Sequence, residues 1–310
     1  MEPSPTVGSR PALRAAGLTT LAMLAFAGNS LLCRLALGRG LLDAGTFATV
    51  RILCGALLLA VLVSREARHA VDPDAEPARG RDRFARGPAD DARDWIAAIA
   101  LAVYMVSFTF AYLSLAAGTG ALLLFGAVQL TMFVAALRAS ERLSAGAWLG
   151  VALAVGGLCY LVAPGLTAPE PVGAALMGAA GVAWGVYSLR GRSSRDPLRS
   201  TAANFVGAVP IVAIASLFLA RGHHVTTQGL LLAVGSGAIT SGLGYVVWYA
   251  ALRHLSAARA ATVQLSVPVI AAIGGVLLLA EPLTLRLVLA SIATLGGIAL
   301  VVGSRQRRAS

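Results

Sequence analysis

Glu141-Arg142-Leu143-Ser144 is followed twelve residues on by Gly156-Gly157, and Glu281-Pro282-Leu283-Thr284 is followed at the same interval by Gly296-Gly297. The displacement from 141 to 281 and from 156 to 296 is 140 residues in both cases. Upstream, Trp184-Gly185-Val186-Tyr187-Ser188-Leu189 parallels Phe26-Ala27-Gly28-Asn29-Ser30-Leu31 at a displacement of 158, and the 18 extra residues fall on one polar insertion near Ser64 to Asp94. The chain therefore reads as two homologous halves, 1–165 and 166–310. A fixed internal repeat inside a long apolar chain points to a secondary transporter rather than a solenoid.

The composition agrees. Hydrophobic residues make up 57% of the chain and charged residues 13%, and mean hydropathy is +0.78, so most of the polypeptide faces lipid. The net charge of +11 rests on 25 Arg and no Lys. These arginines lie between apolar runs instead of forming one basic patch, which argues against nucleic acid as a partner. Cys33, Cys54 and Cys159 each sit within an apolar run without metal-ligand spacing, so neither a disulfide framework nor a metal site is indicated, and no cofactor is expected. No convincing small-residue cleavage site follows the first apolar run, which reads as a signal anchor.

A helix needs about 20 apolar residues to cross the hydrocarbon core. Ten stretches qualify or nearly so, at about 15–35, 45–63, 95–115, 118–137, 145–163, 172–190, 201–220, 229–250, 257–279 and 285–303. The predicted fold is thus an all-α integral membrane protein of ten transmembrane helices, five in each half, around a central cavity. An odd number of spans per half inverts the second half relative to the first. With the N-terminus inside, cytoplasmic segments hold most of the arginines, and only Arg34, Arg39, Arg221 and Arg286 fall near the other side, apart from Arg51 within a span. This asymmetry places both termini in the cytoplasm of a bacterial-type inner membrane. The charge-mixed stretch Arg65 to Asp94 reads as a mobile cytoplasmic loop, and Ala117-Gly118-Thr119-Gly120 and Pro164 to Pro169 read as short external turns. The small-residue pairs Gly146–Gly150 and Gly181–Gly185 read as helix packing within the chain.

Polar and aromatic residues at mid-span are the informative minority, because a polar group facing lipid is expensive and normally turns toward protein or a wet cavity. Candidates for a substrate site are Asn29 in the first span; Tyr104 and Ser107, with Tyr112, in the third; Gln129, one turn from Phe125, in the fourth; Trp184 and Tyr187 in the sixth; Tyr245 and Trp248 in the eighth; and Gln264 with Pro268 in the ninth. Packed core is the competing reading for each of them. Together they would line an apolar, aromatic cavity with amide and hydroxyl groups to orient a ligand.

What is missing narrows the substrate. No Asp or Glu lies at mid-span, since Glu141 and Glu281 sit at span ends, which leaves a cation pump or a carboxylate proton relay without a candidate. Phosphorylated substrates want several cations, and Arg51 is the only one well inside a span. Its position about five residues from the outer end suits snorkelling to the interface, with carboxylate binding as the alternative. His223-His224 and His254 read as surface residues. Flux by exchange or down the substrate gradient is expected from this absence of titratable groups.

The paired Glu-Arg-Leu-Ser and Glu-Pro-Leu-Thr signatures, each opening a helix with Gly-Gly, together with Trp184-Gly185-Val186-Tyr187 and Tyr249-Ala250-Ala251-Leu252, resemble the EamA-type repeats of the drug/metabolite transporter superfamily. The resemblance covers nearly the whole chain. It implies ten helices around a central cavity, with the first four of each half lining it and the fifth peripheral, and export of amino acids or related metabolites. Gly244 to Trp248 and Thr262 to Pro268 are similar to the aromatic amino-acid exporters of that superfamily. Two positions depart from the pattern: Val128-Gln129-Leu130-Thr131 replaces a common proline, and Phe26 a common tryptophan.

The reading is an exporter of neutral or zwitterionic amino acids working by alternating access, with Gln129, Gln264 and Tyr104 serving polar groups and aromatic residues serving side chains. A broad metabolite or drug permease of the same fold is the alternative, and a non-transporting membrane scaffold the alternative of another class. An enzyme would need a nucleophile with a base or a metal cluster, and no such grouping stands in the sequence. The partners expected are a small-molecule substrate and the lipid bilayer. The sequence does not fix the oligomeric state, and a single copy suffices for this reading.

Overall fold

Six short polar side chains mark where helices begin. Asp43 accepts a hydrogen bond from the Thr46 amide, Asp94 from Ala97, Ser144 from Ala147, Asp196 from Arg199, Thr226 from Gly229 and Thr284 from Leu287. Each satisfies one of the N–H groups that a helix start leaves unpaired. Beyond these caps the backbone must satisfy itself, because lipid offers no partner, and the apolar runs become helices.

The computed structural model describes residues 9–70, 94–138, 144–191, 194, 196–219, 224–255 and 257–309. In chain order they form α1 (Ser9–Gly38), α2 (Ala44–Ala70), α3 (Trp95–Ala111), α4 (Ala117–Arg138), α5 (Ala145–Val162), α6 (Pro171–Gly191), α7 (Pro197–Leu219), α8 (Thr227–Val234), a π-helical segment (Gly235–Leu243), α9 (Gly244–Leu252), α10 (Ala257–Gln264), α11 (Ser266–Leu279) and α12 (Leu285–Ala309). Among the described residues nine helical runs are long and apolar enough to cross a membrane, with α8 through α9 counting as one and α10–α11 as another. The tenth, α3, has 17 residues and spans about 26 Å at 1.5 Å per residue. Large apolar side chains such as Leu217, Phe218, Leu231 and Leu277 stay exposed on the outside of the bundle, where lipid takes the place of water.

Helix α5 packs along α12, α2 along α7 and α4 along α11; α3 lies against α6 and α7, α4 against α6, and α1 against the π segment, α9 and α11. The repeated Gly-Gly pairs explain the first of these contacts. A Cβ on Gly150 would stand 2.5 Å from the Gly297 carbonyl oxygen, and one on Gly297 would strike the Gly150 carbonyl oxygen. Gly181 likewise lies against Leu124 and Ala127, and Gly185 against Thr131. Small residues here let backbones touch where no hydrophobic force drives helices together.

One end of the bundle holds Arg34, Glu281, Glu170 and an isolated antiparallel bridge between Leu42 and Val225. At that end Arg286 donates to the Leu161 and Ala163 carbonyl groups at the close of α5. The Gly173 and Val172 amides hold the Glu170 carboxyl below its usual range. The opposite end holds the Asp94–Arg190 and Asp196–Arg199 pairs.

The structure departs from the sequence expectations in four places. Residues 65–70, expected in the polar loop, extend α2 as helix; residues 71–93 lie outside the described residues, as do Glu141, Arg142 and Leu143. Ala117 to Gly120 form the first turn of α4, and the chain reverses at 112–116 instead. The eighth span is not a uniform α-helix, because Gly235–Leu243 is wound as π-helix. The ninth is interrupted at Leu265, three residues before Pro268, whose ring removes a backbone donor and crowds the preceding turn.

Candidate functional site

Two adjoining cavities occupy the middle of the bundle. The larger, about 380 Å³, is lined by Phe26, Gln129, Trp184, Tyr187, Tyr245, Trp248, Tyr249 and Gln264 at its inner end. It runs out to Gly191, Ser194, Pro197, Arg253 and Leu255 at the end of the bundle that carries the Asp94–Arg190 pair. Its size falls in the range of small-molecule sites. The smaller, about 20 Å³, has room for about one water molecule and is lined by Phe26, Asn29, Tyr104, Phe108, Leu124, Phe125, Trp184 and Tyr245. Phe26, Trp184 and Tyr245 border both.

These three rings form the partition. Trp184 and Tyr245 have centroids 5.0 Å apart, and Phe26 stands edge-on to Trp184, Tyr245 and Trp248 at 6.4, 6.0 and 5.8 Å. Tyr104 continues the cluster, 4.9 Å from Trp184 and 5.3 Å from Phe108. Such offset and edge-on contacts match positive ring edges to negative faces. They come from four helices, α1, α3, α6 and α9, so the partition depends on all of them holding position.

Beyond the partition lies a hydrogen-bonded polar network that lipid could not support if it were exposed. Ser236 donates to Asn29 Oδ1 at 2.6 Å and Thr240 lies 3.3 Å from the same oxygen. Asn29 Nδ2 donates to Tyr104 Oη at 3.3 Å, and Arg51 Nη2 donates to the same oxygen at 3.1 Å. Arg51 Nε donates to Ser241 at 3.2 Å. The Arg51 guanidinium also lies over the Phe108 ring, 4.7 Å from its centroid, and 5.4 Å from that of Tyr104.

Arg51 does not snorkel. It is fully buried, because α2 passes so close to the π segment that the Arg51 carbonyl sits where a side chain on Gly237 would go, which directs the arginine inward between α3 and that segment. The residues missed in the sequence, Ser236, Thr240 and Ser241, all stand on the π segment. Their signal in the sequence is the run Gly-Ser-Gly-Ala-Ile-Thr-Ser-Gly at 235–242, seven small residues out of eight, a composition that close helix packing also produces.

Of the expected site residues, Asn29 and Tyr104 meet at the small cavity, Gln129, Tyr187, Trp248 and Gln264 line the large one, and Trp184 and Tyr245 line both. Ser107 and Pro268 are buried but line neither. Phe26, noted only as a departure from a pattern, is central to the partition.

The end opposite the large cavity is held shut by charge and backbone. Glu281 accepts from Arg34 Nε at 3.0 Å and from the Ala117 amide at 2.8 Å, while Arg34 Nη1 donates to the Tyr112 carbonyl at 3.1 Å. Helices α1, α4 and α11 and the reversal after α3 are thereby tied together.

Comparison with known proteins agrees with this architecture. Residues 171–303 match the EamA-like transporter family. An uncharacterized protein of Pseudomonas aeruginosa is 50% identical over 293 residues, 94% of this chain and 96% of its own. An uncharacterized transporter of Archaeoglobus fulgidus is 27% identical over 210 residues, 66% of this chain and 75% of its own. A crystal structure shares the fold with a TM-score of 0.62 at 17% identity, covering 94% of this chain and 98% of the other. The chain belongs to the EamA-like family of membrane transporters.

Proposed function

We propose that this transporter exports neutral or zwitterionic amino acids, aromatic ones included, by alternating access between two inverted five-helix halves. The observation that carries the reading is a one-ended cavity of about 380 Å³ whose inner wall combines Trp184, Tyr187, Tyr245 and Trp248 with the amides of Gln129 and Gln264. Aromatic rings accommodate apolar or aromatic side chains, and the amides offer both donors and acceptors to a zwitterion. The two-repeat reading is supported by the packing, since exchanging the first five spans for the last five returns α2–α7, α4–α11 and α5–α12 to themselves and turns α3–α6 into the contact of α1 with the π segment and α9. With both termini in the cytoplasm of a bacterial-type inner membrane, the cavity opens inward and the Arg34–Glu281 end is the closed outer gate. Glu281 is engaged by Arg34 and Ala117, in keeping with flux by exchange or down the substrate gradient.

A counterflow screen of L-amino acids in proteoliposomes tests this. Exchange of phenylalanine, tyrosine or other neutral amino acids is expected, with Trp184→Ala and Gln264→Ala lowering it while inserting normally into the membrane. Exchange restricted to non-amino-acid solutes would favour a broad metabolite permease, and none of any solute a scaffold.

A further inference from the structure

The network beyond the aromatic partition has a shortage of acceptors. Among the described residues Arg51 takes part in no ion pair, and its Nη1 is buried without a hydrogen-bond partner. Arginine stays charged under all accessible conditions, so the charge must be met and cannot be neutralised by losing a proton. Its observed contacts are two neutral hydroxyl groups and two ring faces. Tyr104 Oη accepts from both Asn29 and Arg51, which leaves its own O–H to donate elsewhere. The Tyr245 hydroxyl, bordering both cavities, is also buried without a partner. Two of these donors belong to Tyr104 and Tyr245, which line the small cavity, and the unpaired charge of Arg51 lies against Tyr104 and Phe108 of the same wall. A buried charge without a counter-ion is strongly unfavourable in so apolar a surrounding.

We propose that the missing acceptor is a carboxylate of the transported molecule, held by Arg51 together with the Tyr104 and Tyr245 hydroxyl groups while the rest of the molecule stays against Trp184 and Trp248. One guanidinium matches one negative charge, which favours a monocarboxylate over a phosphate ester. The rings of Phe26, Trp184 and Tyr245 must part for the carboxylate to pass, and the small cavity, which holds about one water molecule, must widen to receive it, so charge neutralisation of Arg51 and opening of the partition occur together. This deepens the amino-acid reading but stands on separate observations.

The test is the melting temperature of the purified full-length protein with four probes at equal ionic strength: L-phenylalanine, 3-phenylpropionate, phenylethylamine and sodium nitrate. The two carboxylates are expected to raise it, and the amine and the inorganic anion to leave it unchanged. Arg51→Gln is expected to weaken carboxylate binding by about ten- to a hundredfold, the range of a charge-assisted hydrogen bond, yet to melt at or above the wild type because the unpaired charge is gone. Arg51→Lys, which keeps the charge and loses the fork, falls between them. Ser241→Asp, which puts an acid beside Nε and leaves Arg51 in place, is expected to melt higher and respond less. A response to phenylethylamine equal to that of phenylpropionate, a response to no carboxylate, or an undiminished response in Arg51→Gln would overturn the assignment. A response to nitrate as large as to the carboxylates would also overturn it, showing an anion site without selectivity for the transported molecule. If phenylpropionate binds through Arg51 and no amino acid exchanges, the carboxylate site stands and the amino-acid reading falls; if amino acids exchange equally well in Arg51→Gln, the reverse holds.

Discussion

Arg34 and Glu281, 247 positions apart, meet at 3.0 Å, and the second carboxylate oxygen of Glu281 caps the start of α4 at Ala117. The glutamate opens one of the two signatures that reveal the repeat, so its role in the sequence motif is now physical: it ties the last third of the chain to the first and fourth helices. The side chains are 23% and 12% exposed, so solvent screens the pair only in part. Glu281→Gln is expected to lower stability by about 1–3 kcal/mol through loss of charge-assisted bonds. Arg34→Ala should cost a similar amount, and the double variant less than the sum, as a thermal-unfolding double-mutant cycle would show.

The two Gly-Gly pairs make opposite forecasts within each pair. Side chains on Gly150, Gly157 or Gly297 collide with the facing helix, whereas Gly156 and Gly296 face open space. Gly157→Val and Gly297→Val should therefore destabilise by about 1–3 kcal/mol through overpacking, while Gly156→Ala and Gly296→Ala should be neutral or stabilise by up to about 1 kcal/mol through helix propensity. Melting temperatures of the four variants check the contrast.

At the other end Asp94 caps α3 and bonds Arg190 at 2.5 Å. Burial works to raise its carboxyl, but the Arg190 bond and the Ala97 and Ile96 amides outweigh it and hold the net value below the usual 3.8. Because the folded value is depressed, its contribution is present above the unfolded value and lost as pH falls through the folded one. Asp94→Asn keeps the cap and loses the charge, so at pH 7 it should cost no more than about 1 kcal/mol given the exposure of the pair. The difference from wild type should vanish on acidification below the carboxylate range, and a difference independent of pH would show that the charge is not its source.

Topology has its own check. Cysteines introduced as Ala78→Cys and Pro169→Cys in a chain freed of Cys33, Cys54 and Cys159 should label from opposite faces of the membrane, Pro169 from outside. Labelling of both from one face would break the inverted arrangement, and labelling of Pro169 from inside with Ala78 from outside would reverse the side on which the large cavity opens.

Hydropathy and the repeat made the helices legible, with ends displaced by up to about seven residues, because a span is fixed by the thickness of lipid and by polar caps such as Ser144 and Thr284, both visible in the chain. The cavity-lining aromatic residues were legible for a related reason: a Trp or Tyr at mid-span stands out against alanine and leucine. Arg51 was misread because its distance from a span end measures depth along one helix, whereas its burial is decided by neighbours almost 190 positions away on another. Ser236, Thr240 and Ser241 were missed because small hydroxyl residues in helices commonly bond their own backbone, and nothing local distinguishes those that reach across. Ser107 and Pro268 were placed on the right helices but on faces that pack instead of lining the cavities.

The π segment from Gly235 to Leu243 fixes more than the positions of its own hydroxyl groups. Tyr245 and Trp248 follow it directly on α9, so their bearing around the helix axis depends on how many residues its wide turns hold. One α-helical residue corresponds to a rotation of about 100°. Because a π turn holds more residues than an α turn, rewinding this segment as α-helix would turn both rings about the helix axis relative to α8 and so disrupt two walls of the cavity.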